Sequence, residues 1–184
     1  MRHALLCILL LCSGVSAQTP TRLSSTAQVA AELSRARSVV LISVPTVSSV
    51  EIADALRLAV LRGVQVRLLV DDRYTEDPDV YTPGLDALQW AFSGSPTDPE
   101  RVAPYNPERF MIRTRLDVPS FALIDAEVVV QGPLVERGNL PFDAGKTYAL
   151  RDPTVHARRL SEFINLWSGG VGYQSLTTRY FTIE

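Results

Sequence analysis

The stretch Val118–Pro133 reads VPSFALIDAEVVVQGP. Its pattern is a buried strand, a tight turn at Ile124-Asp125-Ala126-Glu127 and a second strand closing on Gly132, a shape on which reactive groups are often mounted. Yet the stretch holds no His, Lys, Cys, Tyr or Arg. An Asp in such a turn has a local use of its own, because it accepts hydrogen bonds from nearby backbone. Reactive residues elsewhere are few. The only imidazole beyond the extreme N-terminus is His156, beside Arg158 and Arg159, and a solvent-exposed helical position is expected for it. Ser-His-Asp catalysis would need a serine within its reach, and nothing local supplies one. Arg113 and Arg115 share one face of the alternating run ERFMIRTR, where two guanidinium groups could grip a phosphate, although a solvated edge is the simpler expectation. Asp71-Asp72 closes an apolar run, the place where open α/β sheets collect ligands, although a solvated strand end is the simpler expectation. The acidic residues Glu76, Asp77 and Asp79 lack calcium-loop spacing, and one His without thiols argues against a metal. No glycine-rich phosphate loop occurs, so no cofactor is expected.

The elements that must position these residues can be read in order. Ser25 or Thr26 caps a helix over AQVAAELSRAR. Ser38-VVLISV-Pro45 is β-branched and apolar throughout, as a strand buried on both faces is. Ser48 or Ser49 starts a second helix, with Glu51 completing a capping-box pattern and Ile52, Leu56, Ala59 and Val60 on one face. Arg62-Gly63 stops it, and VQVRLLV follows as another buried strand. Helix–strand–helix–strand implies a parallel strand pair. Residues 73–107 form a proline-rich, loop-like insertion in which only GLDALQWAF reads as helical. After the 118–133 stretch come the short apolar TYAL and a helix, PTVHARRLSEFINLW, started by Asp152-Pro153. Its apolar stripe is Val155, Leu160, Phe163, Ile164 and Trp167. The tail from Gly172 suits an edge strand. The fold class expected is α/β, with a mixed, mostly parallel sheet sandwiched between helices.

Two segments resemble a known family. ARSVVLISVPTVSSVEIADALRLAVLRGVQVRLLVDD resembles the opening of a phospholipase D-like domain, and YALRDPTVHARRLSEFINLW resembles its last strand, turn and helix. With the Asp125 hairpin between them, the resemblance covers roughly Thr26 to Trp167. It implies phosphodiester chemistry at a motif His-x-Lys-x-x-x-x-Asp, followed by Gly-Ser-x-Asn, with two such motifs meeting. One His attacks phosphorus, the other protonates the leaving group, and Lys and Asn hold the phosphate oxygens. With Asp125 as the Asp of that motif, the His position is Val118 and the Lys position Ser120. Gly132 keeps the Gly, whereas the Ser and Asn positions are Pro133 and Val135. The Glu that often precedes the last strand falls near Gly145. No His-x-Lys occurs anywhere in the chain. The resemblance therefore implies a phospholipase D-like pseudoenzyme: a non-catalytic binding or assembly module, forming a homodimer or meeting a partner protein through the face that carries the lost motif. The alternative is a divergent phosphodiesterase, of phospholipase or nuclease type, that uses other residues or a partner subunit.

The chain begins MRHALLCILLLCSGVSAQ, with a basic start, a short apolar run and small residues at Val15-Ser16-Ala17. This is the pattern of a signal peptide over residues 1–17, cleaved near Ala17. It predicts a secreted protein, periplasmic or extracellular, and no later run has the length of a transmembrane helix. The remaining 184 − 17 = 167 residues fit one domain, residues 26–184, behind a disordered lead at 18–25. Both cysteines, Cys7 and Cys12, fall in the leader, which leaves no disulfide or thiol chemistry. Without Arg2, 17 basic side chains face 20 acidic ones, a balance that argues against a general nucleic-acid binder.

Overall fold

The computed structural model describes residues 19–76, 85, 88, 108–134, 142, 143 and 145–173. The expected signal peptide, most of the 73–107 insertion, Val135 and the tail beyond Tyr173 lie outside the described residues. The strands are β1 (Thr21–Arg22), β2 (Val39–Val44), β3 (Gln65–Asp71), β4 (Phe110–Arg115), β5 (Phe121–Ile124), β6 (Val128–Gln131), β7 (Tyr148–Leu150) and β8 (Val171–Gly172). The helices are α1 (Thr26–Leu33), α2 (Val50–Leu61), α3 (Asp72–Glu76) and α4 (Pro153–Ser168). All eight strands join one sheet in the order β1-β7-β6-β5-β2-β3-β4-β8.

Each helix begins where its side chains can satisfy free backbone donors. Ser25 caps α1 by accepting from Gln28 N–H, and Ser49 caps α2 by accepting from Ile52 N–H. Glu51 meets the Ser49 hydroxyl at 2.6 Å, so Ser49 is the cap that Glu51 supports. Asp152 accepts from Thr154 and Val155 N–H, with Pro153 in the first turn of α4. The expected α2 stripe of Ile52, Leu56, Ala59 and Val60 is buried in full.

The sheet has a core on each face. One unites Val29 and Leu33 of α1 and Ile52 and Leu56 of α2 with Val40, Ile42, Leu68 and Val130 of the strands. On the other face Leu69, Phe121, Leu123 and Val129 pack against Phe163 of α4. Phe163 meets Phe121 edge-on at 6.5 Å and stacks on Trp167 at 5.6 Å. The sheet is thus sandwiched between helices, as expected. Ile164, counted in the stripe of α4, is instead 55% exposed, whereas His156 is buried.

Two expectations need correction. The sheet is mixed but not mostly parallel: β2–β3 and β3–β4 are parallel and the other five pairings are antiparallel. Parallel pairing needs a long crossover, and the β5–β6 turn is too short to be one. Part of the 18–25 lead is also ordered. Thr21 and Arg22 pair with Ala149 and Tyr148, Leu23 N–H donates to Thr147 O at 2.9 Å, and Leu23 is buried.

Candidate functional site

The strand registers divide the motif between two edges of the sheet. Val44, Asp71 and Arg115 end β2, β3 and β4 at one edge. Pairing of Ser43 with Phe121, Phe121 with Gln131 and Gln131 with Tyr148 brings the start of β5, the end of β6 and the start of β7 to that same edge. Val118 and Ser120 precede β5, and Gly132 and Pro133 follow β6, so four motif positions gather here. Asp125 follows β5 at the opposite edge.

At that opposite edge Asp125 is an anchor. Its backbone lies in the left-handed region, φ 54°. Its Oδ1 accepts from Ser38 N–H at 2.8 Å, Ser38 Oγ–H at 2.7 Å and Val39 N–H at 3.0 Å, and its Oδ2 from Arg37 N–H at 3.0 Å. Burial pushes the carboxyl up, but the donors of Val39, Ser38 and Arg37 outweigh it and hold the group below the usual carboxylate range. The turn is fastened from the other side by His156, whose Nε2 lies 2.9 Å from Asp125 O. His156 is 8% exposed, not the solvated helical residue expected from its Arg neighbours. A carbonyl partner assigns Nε2 as the donor, so the ring pins α4 to the hairpin.

The motif's His, Lys and Ser positions are built into the packing. Val118 is buried in the cluster of Leu69, Phe121 and Phe163. Ser120 Oγ accepts from Leu134 N–H at 3.0 Å, which ties the two halves of the motif together. Pro119 O accepts from Ser43 Oγ–H at 2.7 Å, and Pro133 O from Thr147 Oγ1–H at 3.1 Å. Gly132, at φ 118°, is held to glycine by its backbone. A Cβ there would collide with the Lys146 carbonyl and stand 2.9 Å from Thr147 Cα.

The other candidates also have structural employment. Arg113 donates to Trp167 O at 2.7 Å and lies over the Trp167 ring at 4.8 Å. Arg115 donates to Leu166 O at 3.2 Å. Both guanidinium groups close the C-terminal end of α4, where its unpaired carbonyls attract cations. The solvated edge expected of them is instead a pair of contacts to the end of the helix. Asp71 is 1% exposed and not a solvated strand end. Arg73 Nε and a terminal nitrogen reach its two oxygens at 3.0 and 2.7 Å, and Asp117 N–H reaches Oδ2 at 3.1 Å. Arg73 also meets the Asp117 carboxylate at 2.7 Å. Burial raises the Asp71 carboxyl, yet Arg73 and Asp117 together hold it below the usual range. Asp117, φ 57°, immediately precedes Val118, so this network fixes the loop at the lost His position. Sequence reading missed Arg73 and Asp117, whose only signal was their closeness to Asp71 and Val118 in the chain.

Chemically, this edge carries no imidazole among the described residues, and its Ser43 and Ser120 hydroxyls are held by backbone partners. A serine nucleophile needs an adjacent base, and the Asp71 and Asp117 carboxylates are both paired with Arg73. Among the described residues no group of three His, Cys, Asp or Glu side chains is placed to hold a metal ion.

This architecture has relatives. Residues 29–97 match the family model described as cardiolipin synthase, PLD-like domain. Nuc from Salmonella typhimurium, a phospholipase D family member, superposes with a TM-score of 0.58 at 17% identity, covering 80% of this chain and 90% of that one. NucT from Helicobacter pylori gives 0.58 at 17%, covering 84% and 98%. The fold is phospholipase D-like. TrmBL2, an archaeal chromatin protein with a novel mode of DNA binding, shares the fold more distantly, with a TM-score of 0.52 at 14% identity over 84% of this chain and 54% of that one. No curated protein matches in sequence. At these identities the structural likeness is one of fold, and a phospholipase D-like fold leaves the activity to be argued from the site. No helix among the described residues is long and apolar enough to cross a membrane.

Proposed function

We propose that this chain is a non-catalytic phospholipase D-like module, secreted after cleavage near Ala17, that binds or assembles at the cell envelope through the edge carrying Val118, Ser120 and Pro133. One observation carries the reading. The His position is a valine buried in the core, while the one remaining His is engaged with Asp125 O at the far edge of the sheet. Neither a nucleophile nor an acid partner is available where the fold would use them. Apolar packing and backbone hydrogen bonds have taken over those positions, which suits a surface that holds rather than cleaves. The DNA binding described for TrmBL2 is not carried over, because 20 acidic side chains outnumber 18 basic ones here.

The test is turnover by the purified protein on an aryl phosphodiester, double-stranded DNA and phospholipid vesicles, measured across a size-exclusion profile. The expected result is no turnover that follows the protein peak. Turnover that follows the peak on any of the three sinks the reading in favour of a rebuilt phosphodiesterase site.

A further inference from the structure

The edge of the sheet opposite the motif positions is built differently. The neighbouring parallel strands β2, β3 and β4 all start there, and an arginine stands shortly before each: Arg37, Arg62 and Arg109. All three are exposed. Neighbouring strands lie about 4.8 Å apart, so the three entries span about 10 Å. Ser38 O accepts from Gln65 N–H at 2.8 Å, and Arg109 Nη1 lies 3.9 Å from where a Cβ on Gly63 would stand, which joins the entries into one surface. Arg73, Arg113 and Arg115 at the motif edge are engaged with carboxylates or carbonyls. Here one terminal nitrogen of Arg62 donates to Ser34 O at 3.0 Å, and the Arg37 and Arg109 guanidinium groups have no hydrogen-bond or ion-pair partner among the described residues. Glu108 is the one acid within residues 35–38, 61–64 and 108–109, on a chain whose 20 acidic side chains outnumber 18 basic ones. Beside the arginines, α2 ends on two aliphatics one turn apart, Leu58 at 44% and Leu61 at 51% exposure. Thr19 and Pro20 lie toward the same edge, because β1 runs antiparallel to β7 with Thr21 opposite Ala149.

We propose that this edge docks on an anionic lipid surface. Arg37, Arg62 and Arg109 meet phosphate headgroups, and Leu58 and Leu61 enter the boundary between headgroups and acyl chains. Unpaired cations beside exposed aliphatics are the two features that hold a domain on such a surface. A nucleic acid would use the cations but not the leucines, and the three entries present no exposed aromatic ring for bases to stack on. Because the protein as a whole is acidic, general attraction to anions is not expected, and the arginine edge is where it would be local. The inference does not rest on the absence of catalysis: the docked edge uses none of Val118, Ser120 or Pro133 and turns them away from the lipid.

The experiment is sedimentation of the purified protein with vesicles of phosphatidylcholine alone and of phosphatidylcholine and phosphatidylglycerol in equal parts, beside binding to double-stranded DNA. Binding about tenfold tighter to the anionic vesicles is expected, falling as salt rises. Each arginine near such a surface contributes about fivefold in affinity, so Arg37→Gln with Arg109→Gln should weaken binding about thirtyfold. Neither guanidinium has a partner to lose, so this double variant should melt with the parent; if it melts lower, Arg109→Gln alone carries the test at about fivefold. Leu61→Ser should also weaken binding, whereas Lys146→Gln, a charge loss at the motif edge, should leave it unchanged. Four results overturn the proposal: no binding to anionic vesicles, binding to neutral vesicles just as tight, arginine variants that bind as the parent does, or Lys146→Gln costing as much as Arg109→Gln. DNA bound as tightly as the vesicles, with the same dependence on Arg37 and Arg109, overturns the lipid surface in favour of a nucleic acid.

Discussion

Replacing Asp125 by Ala tests whether the surviving acid of the motif is an anchor. The carboxylate accepts from three backbone N–H groups and one hydroxyl, between 2.7 and 3.0 Å. A hydrogen bond to a charged group contributes about 1.5–3 kcal/mol net, and less where water can replace it. The Arg37 and Ser38 donors face solvent, whereas Val39 N–H is partly buried. One bond at about 1.5 kcal/mol and three at about half that come to about 4 kcal/mol. Alanine in a left-handed conformation adds about 1 kcal/mol. The expected loss of about 5 kcal/mol rivals the whole stability of a small domain, so urea unfolding would show Asp125→Ala marginal or unfolded. Asp125→Asn keeps an oxygen for the Oδ1 donors and tolerates the left-handed backbone, and should cost about 2 kcal/mol. The folded carboxyl is depressed, so its contribution is fully present above the unfolded pKa of about 4 and is lost as pH falls through the folded value. The gap between parent and Asp125→Asn should therefore close in acid. If Asp125→Ala costs under about 1 kcal/mol and matches Asp125→Asn at every pH, the anchoring argument is wrong.

Gly132→Ala forces a Cβ into the Lys146 backbone at φ 118°, and a loss of about 3–5 kcal/mol in a thermal melt is expected. His156→Ala removes the Asp125 carbonyl's partner in a buried setting and should cost about 2–3 kcal/mol in urea, with His156→Gln recovering part of it. Asp71→Asn leaves Arg73 without its buried carboxylate and should cost about 2–3 kcal/mol at neutral pH. Because the Asp71 carboxyl is depressed when folded, that difference should shrink as pH drops below about 4, measured by denaturation at stepped pH.

Much of the fold was legible because local rules and tertiary context agree. The apolar runs 39–44 and 65–70 are buried strands, and serine caps and helical stripes mark α1 and α2. The β5–β6 hairpin was readable from two apolar runs around a turn whose Asp accepts a left-handed backbone, but the Asp125 carboxylate serves Arg37, Ser38 and Val39 far earlier in the chain and not the local backbone expected of it. What failed was contact across long sequence separation. That Arg113 and Arg115 serve carbonyls about 50 residues later, and that His156 reaches back 31 residues to Asp125, is written in no local pattern. Charge misled in both cases, because arginines on a strand face and a His among arginines both looked solvated. Strand Thr21–Arg22 was hidden for the reverse reason: two polar residues carry no strand signal, and pairing with β7 makes the strand.

The motif positions Val118 and Ser120 are built into the packing, and this bears on whether the motif's His and Lys can be installed there. Val118→His with Ser120→Lys would restore the two missing residue types at family spacing. The imidazole would enter the cluster of Leu69, Phe121 and Phe163, where it finds no polar partner, at a cost of about 1–3 kcal/mol. Lysine at position 120 would deprive Leu134 N–H of the Ser120 hydroxyl that accepts from it, at about 1–2 kcal/mol more. Pro133 would still stand where a hydroxyl is needed. The double variant should therefore lose about 2–5 kcal/mol in a urea melt and hydrolyse no aryl phosphodiester above background. If it gained turnover at undiminished stability, the edge would be an intact cradle lacking only its reagents. The buried valine and the Ser120–Leu134 bond would then be incidental, and the argument that this edge was rebuilt for holding would fail with them.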